Sequence, residues 1–321
     1  MFLRILYVFH LLLEFLLSME DLTAMSTKSA EILLAAVIFS RSTSLLFSKI
    51  GMETFELFNL LSIRFCLAFI LLVIIFIKPI KKTTSRDVFN GFIVGIVFFV
   101  VMSLETYALT LTETTTNSFL VNSAIVIVPI INAIIWHAPI TKKTAISAVV
   151  TLIGVAFLTL RSGIHIGAGE TVCIITAIIY AFSIILTGRL SQKGNPMLFG
   201  IYQVGFMGVF AVIGTFIFET PRMPETSTEW GAIAFLVLVC SCFGFTLQPL
   251  AQKYVDINRA GQFSAINPLS VAILGTVFLD ERLGTFGWIG AALILTGIIL
   301  GSFSKDTLIL NKMKHKHSIQ K

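Results

Sequence analysis

The chain is 321 residues long, 56% hydrophobic and 12% charged, with a formal net charge of +6. That charged fraction is about half a soluble domain's, which excludes a water-soluble globule of this length. The cations lie singly or in short groups between apolar stretches, not on one soluble face, which excludes a nucleic-acid-binding surface.

In chain order, residues 1–25 come first. MFLRILYVFHLLLEFLL is apolar but interrupted by Arg4, His10 and Glu14, and no small-residue cleavage site follows it. A signal peptide is therefore not expected. With Met25 just ahead of the first good span, the segment reads as an extension absent from the working protein; an interfacial helix is the alternative. Ten apolar stretches follow, near 29–48, 57–77, 88–109, 115–136, 144–160, 169–188, 197–217, 230–251, 260–279 and 285–303. A helix needs about twenty residues to cross the hydrocarbon, and its backbone must be satisfied within the segment. The expected fold is an all-α integral membrane protein of ten transmembrane helices. Residues 26–162 hold spans one to five, 163–304 hold spans six to ten, and 305–321 form a basic tail suited to anionic lipid.

If the chain starts inside, Lys28 ahead of span one, the inner connections and the tail together hold 16 cations, including Lys78, Lys81, Lys82, Arg86, Lys142, Lys143, Arg189 and Lys253. The outer connections hold four, Lys49, Arg161, Arg222 and Arg282. The positive-inside rule then places both termini in the cytoplasm and the chain in the cell membrane. Cys66, Cys173, Cys240 and Cys242 all fall in spans, so no disulfide is expected.

The two sets of five spans share landmarks. Glu105-Thr-Tyr-Ala108 ends span three and Gln248-Pro-Leu-Ala251 ends span eight; Pro129 and Pro268 lie in spans four and nine. Ala108 precedes Gly154 by 46 positions, and Ala251 precedes Gly297 by the same 46. The prolines differ, at 21 and 17 positions after the alanines, a shift of about one helical turn. Five is odd, so the second copy enters the membrane from the opposite side. Inverted repeats of this kind build many secondary transporters, with one central site and two access states.

At these residues the chain resembles the EamA family of the drug/metabolite transporter superfamily. The likeness runs from Ser29 to Phe303 and is carried by FLVNSAIVIVPIINAII and by the last two spans, with Pro268, Glu281, Gly290 and Gly297. It implies two five-helix repeats, a central cavity and transport of small metabolites, often outward. Two places depart from the family pattern. Ser40-Arg41 stands where Trp-Gly is frequent, and His137-Ala138-Pro139 stands where the first repeat's acid is expected.

A charge inside the hydrocarbon costs several kcal/mol unless paired or wetted, so each one is a functional candidate. The candidate substrate-binding residues are Arg41, Arg64, Glu105, Asn122, Gln203 and Gln248. Glu105 is also the candidate proton-coupling group. Pro129 and Pro268 are the candidate helix-bending positions. Each has a structural alternative: Arg64 snorkelling or pairing with Glu105, and Asn122 and Gln248 as interhelical hydrogen-bond partners. Spans five and ten carry almost no strongly polar residue and should be peripheral. Gly91/Gly95 and Gly297/Gly301 suit close helix packing or a homodimer seam. Glu281, beyond the hydrocarbon, should order the turn into the last span.

No zinc-ligand spacing, phosphate loop or nucleophile–base pattern supports an enzyme, a metal or a cofactor. The leading reading is a secondary carrier exporting a small metabolite or drug, such as an amino acid, with proton coupling possible. A non-transporting membrane sensor or assembly partner, and a lipid flippase, are the alternatives.

Overall fold

The computed structural model describes residues 25–112, 114–159, 167–278 and 284–302. Residues 1–24, Arg161, Glu281, Arg282 and the basic tail lie outside the described residues. Those described form helices and short connections: α1 Thr27–Gly51, α2 Leu57–Ile75, α3 Ile77–Ile80, α4 Ser85–Ala108, α5 Thr114–Asn122, α6 Ala124–Trp136, α7 Lys142–Thr159, α8 Ala168–Leu190 and α9 Pro196–Phe218. Then come α10 Ser227–Phe235, a wide π-type stretch Leu236–Phe245, α11 Thr246–Lys253, α12 Ile257–Phe263, α13 Ile266–Phe278 and α14 Thr285–Ser302.

Among the described residues, seven helical stretches are long and apolar enough to cross a membrane: Thr27–Gly51, Leu57–Ile75, Ser85–Ala108, Thr116–Trp136, Ala168–Leu190, Pro196–Phe218 and Ser227–Lys253. The three other predicted spans coincide with α7, with the broken pair α12/α13, and with α14. Polar residues set the helix starts by accepting orphan backbone N–H groups. Ser26 accepts from Ser29 N at 3.1 Å, and Asn195 from Met197 N at 3.0 Å just before Pro196. Thr84 with Asp87, and Thr226 with Glu229, close reciprocal capping boxes.

Two spans expected as single helices are interrupted. The fourth breaks at Ser123, between α5 and α6, and the ninth at Ser264–Ala265, between α12 and α13. Pro268 explains the second break, because its ring meets the carbonyl four residues earlier, that of Ser264. That carbonyl instead accepts from Asn267 N at 3.0 Å. Pro249 has the same effect in the eighth span. It leaves the Phe245 carbonyl without its usual partner, and the wide π turns end at that residue.

Side-chain ties define the two ends of the bundle. At one end Asp87 Oδ1 accepts from Asn195 N, Asn90 donates to the Leu190 and Lys193 carbonyls, Gln192 donates to the Lys253 carbonyl, and Arg259 pairs with Glu31. This is the Lys-rich end. At the other, Glu219 accepts from Phe58 N and Asn59 N, Arg222 donates to the Thr54 carbonyl, and Thr112 donates to Glu170.

Both small-residue pairs are used within the chain. Gly91 and Gly95 lie against Tyr202, Gln203 and Phe206 of α9; Gly154 and Gly297 bring α7 and α14 together; Gly301 lies against Gln262. The α7/α14 pair sits at the periphery, with Ile146, Ile153, Phe157, Trp288, Ile289 and Ile299 exposed. These apolar side chains suit a lipid-facing surface.

Candidate functional site

A cavity lies at the centre of the bundle. Five helices supply its polar lining: Arg41, Ser44 and Ser48 from α1, Arg64 from α2, Glu105 and Thr106 from α4, Tyr180 from α8 and Asn267 from α13. Ile38, Leu45, Met102, Leu109, Val121 and Phe245 complete the wall. Ile38 to Ser48 and Met102 to Leu109 run toward the Arg222 end, so the cavity occupies that half of the bundle. Its volume is about 30 Å³ for the centres of water-sized spheres, where roughly 10–15 Å³ suffices for one water. This conformation leaves a narrow space in that half, walled by charged, polar and apolar side chains together.

Arg41 reaches the cavity because Gly244 leaves room for it: a Cβ there would come within 2.6 Å of Arg41 Cγ. Its Nη1 donates to Gln248 Oε1 at 2.5 Å. Its guanidinium lies 4.2 Å from the Phe245 ring centroid and 5.1 Å from that of Phe98. Arg64 is 1% exposed, so it does not snorkel. It donates from Nε to Ser241 Oγ at 2.8 Å and from Nη1 to Ser44 Oγ at 2.6 Å. Phe245 lies 5.8 Å from its guanidinium and so stands beside both arginines. The π turns before Pro249 supply Ser241, Phe245 and, just beyond, Gln248.

Glu105 is 8% exposed and faces the same cavity. Among the described residues it is within 4.0 Å of neither arginine, so the Arg64–Glu105 ion pair, one of the structural alternatives for Arg64, is not formed. Its backbone carbonyl accepts from Asn117 Nδ2 at 2.9 Å, which fixes the end of α4 against α5. Each arginine retains a buried donor without a partner, Nε of Arg41 and Nη2 of Arg64. Asn267 likewise keeps a buried, unpartnered Oδ1.

The six candidate residues therefore divide. Arg41, Arg64 and Glu105 line the cavity, and Gln248 supports Arg41 from behind. Asn122 and Gln203 are fully buried outside the lining. Asn122 donates back to the Ser118 carbonyl at 2.7 Å, at the α5/α6 break. Gln203 sits on the α9 face that packs on Gly91 and Gly95. Pro129 lies within α6, and Pro268 follows Asn267 at the start of α13. Tyr180, Phe245 and Asn267 went unnoticed in the sequence. The two aromatics lie in apolar runs where nothing marks them, whereas Asn267 has a signal, a polar side chain directly before an intramembrane proline.

A second polar group ties the Lys-rich end. Arg189 Nη2 donates to Asn132 Oδ1 at 2.9 Å, and Asn132 Nδ2 donates to Asn258 Oδ1 at 3.1 Å. The Arg189 guanidinium lies 4.4 Å from the Trp136 ring centroid. With the Arg259–Glu31 pair, these contacts join α1, α6, α8 and α12 across the end of the bundle that the cavity does not reach.

Comparison with known proteins agrees with this architecture. An "uncharacterized transporter" of Archaeoglobus fulgidus is 24% identical over 261 residues, covering 79% of each chain. The "uncharacterized transporter YetK" of Bacillus subtilis is 23% identical over 290 residues, covering 86% of this chain and 87% of its own. A solved structure titled "Crystal structure of protein" superposes with a TM-score of 0.70 at 17% identity, over 85% of this chain and 96% of that one, and so shares its fold. The sequence pattern of the EamA-like transporter family matches residues 28–160 and 167–303. With nearly the whole apolar region matched in two tandem copies, this membrane protein belongs to the EamA-like transporter family.

Proposed function

We propose that the protein is a secondary carrier that moves a small metabolite across the cell membrane by alternating access around the central cavity. The observation that carries this is the cavity itself: charged groups from α1, α2 and α4 converge at mid-bundle, closed off from the Lys-rich end. A membrane protein that only scaffolds has no need of two buried guanidiniums, each costly in hydrocarbon. The groove open toward lipid between α4, α6 and α8 is lined only by apolar side chains, among them Ile96, Val100, Ile135 and Phe182. A flippase would need a polar path for a headgroup there.

The reading includes ten spans in two inverted repeats, α7, α12/α13 and α14 completing the set. Its support is the pairing of equivalent helices. The second span packs on the seventh and the fifth on the tenth, as α2 on α9 and α7 on α14. The first packs on the eighth as the sixth packs on the third. Both termini are then cytoplasmic, the Lys-rich end faces the cytoplasm, and the cavity leans outward. Export is the direction we assign. Glu105 is the proposed proton-linked group, since it is the single carboxylate among the cavity-lining residues and Gln248 stands in its place in the other repeat.

Counter-flow in proteoliposomes tests the carrier reading. Vesicles holding the purified full-length protein and loaded with one member of a metabolite panel should take up that compound, labelled, faster than empty vesicles. Absence of counter-flow across anionic, zwitterionic, cationic and neutral members would overturn it.

A further inference from the structure

The charges that line the cavity are unequal. Two guanidiniums, Arg41 and Arg64, stand against one carboxylate, Glu105. Among the described residues neither arginine has a carboxylate oxygen within 4.0 Å. Their hydrogen-bond acceptors, Gln248, Ser241 and Ser44, are all neutral. The Phe245 ring beside both stabilises a cation by roughly 0.5–2 kcal/mol, much less than the cost of holding an uncompensated charge out of water. Two like charges beside one ring also repel each other. Yet Arg41 Nε and Arg64 Nη2 are buried and donate to nothing. A site built this way lacks one negative charge and an acceptor for two N–H groups.

We propose that the cavity is an organic-anion site, and that the transported compound is a small carboxylate whose oxygens accept from Arg41 and Arg64. The inference rests on the carrier reading and names the substrate class of that same site. A planar carboxylate suits guanidinium donors, accepting two N–H bonds in its own plane. A single negative charge completes the balance that Glu105 leaves open, which a phosphate dianion would overshoot. A zwitterion would set its ammonium toward Glu105 and leave one arginine uncompensated. An amine would add a third cation. The aromatic side of the wall, Tyr180 and Phe245, leaves the remainder of the compound an apolar surface.

The test uses full-length protein in nanodiscs for binding and in proteoliposomes for exchange. The probes are two matched triads: phenylpropionate, phenylalanine and phenethylamine; and butyrate, aminobutyrate and butylamine. Within a triad, body size is nearly constant and the charged groups change. Thermal stabilisation in nanodiscs reports binding, and counter-flow reports transport. In at least one triad the carboxylate should bind most tightly and exchange, and Arg41→Gln should weaken its binding at least about tenfold, the loss of one charged hydrogen bond. Arg41→Lys, which keeps the charge without the planar fork, should recover part of that loss. Tighter binding of the zwitterion or the amine, or a carboxylate unaffected by Arg41→Gln, would overturn the anion site while leaving the carrier reading standing. Binding of the carboxylate without exchange of any compound would support the site and overturn the carrier reading. No binding in either triad would overturn the anion site whatever the exchange result.

Discussion

Arg41 and Arg64 differ in what surrounds them, and the difference separates their expected mutational signatures. Arg41 is half-buried on an α1 face that Gly244 leaves open, and it rests on a hydrogen bond to Gln248 and on the rings of Phe98, Tyr180 and Phe245. Arg41→Ala should therefore lower transport at least about tenfold with membrane expression near wild type; normal transport with lost expression would mark a structural group. Arg64 is a buried cation with neutral partners only. Replacing an imperfectly compensated buried charge by an apolar side chain of similar volume is often neutral or stabilising, by about 1–4 kcal/mol. Arg64→Met should abolish transport and leave the melting temperature unchanged or raised, and a drop of several degrees would show instead that its bonds to Ser44 and Ser241 hold the fold. For Glu105 the expectation concerns coupling. Glu105→Gln keeps the shape and removes the titration, so uptake driven by a pH gradient should vanish while exchange at equal pH persists. Surviving pH-driven uptake would place coupling elsewhere.

The helices show why some of this was legible and some was not. A charge in an apolar run stands out because hydrocarbon tolerates few, so Arg41, Arg64 and Glu105 are readable from type and place alone. Which of them touch is not. Arg64 and Glu105 line one cavity without forming a close ion pair, and Arg64 Nε donates instead to Ser241, which the π turns before Pro249 carry. Of the two prolines named as bending positions, Pro268 lies next to a break, whereas Pro129 lies within the unbroken helix α6. The breaks at Ser123 and Ser264, which set Asn267 beside the cavity, depend on packing that periodicity does not encode. Asn122 and Gln203 look the same as Gln248 in the sequence, and only the rotation of α5 and α9 removes them from the lining. Glycine spacing was the most direct signal. A Cβ at Gly154 would lie 2.7 Å from Ile294 N and 2.8 Å from Gly290 O, both backbone atoms of α14 that cannot move aside singly. Gly154→Ala should cost about 1–3 kcal/mol, the range for overpacking, seen as a lower melting temperature in detergent. Gly284, with nothing within 4 Å of its added Cβ, is the control. Equal effects at the two positions would refute close α7–α14 packing as the cause.

At the scale of the molecule, ties join helices at both ends and the cavity lies toward the Arg222 end, so a carrier must part the ties at the Lys-rich end to open that way. Orientation comes first. Ser85 and Ser227 are exposed at opposite ends, so in a background without reactive native cysteines Ser227→Cys should label from outside the cell and Ser85→Cys should not; the reverse would invert the topology. Opening toward the Lys-rich end then requires Glu31 to leave Arg259, and Asn132 to leave Arg189 or Asn258. These are the contacts through which α1 and α12, α8 and α6, and α6 and α12 meet there. Thr187 reports on that opening. It lies on α8 two turns beyond Tyr180 toward the tied end and is fully buried, so a cysteine there is shielded until the ties part. The Glu31–Arg259 pair is largely buried, with side chains 18% and 11% exposed, which sets it above the near-zero worth of a surface pair. Removing its charge with Glu31→Gln should weaken the closed end by about 1 kcal/mol, a severalfold change in population. The labelling rate of Thr187→Cys by an impermeant thiol reagent, applied to inside-out vesicles, should rise by that factor. Counter-flow should change with it, because a carrier biased toward one access state cycles more slowly. A labelling rate that Glu31→Gln leaves unaltered would mean that this ion pair only fastens the start of α1, and that the other ties, Asn132 with Arg189 and Asn258 among them, hold the end shut.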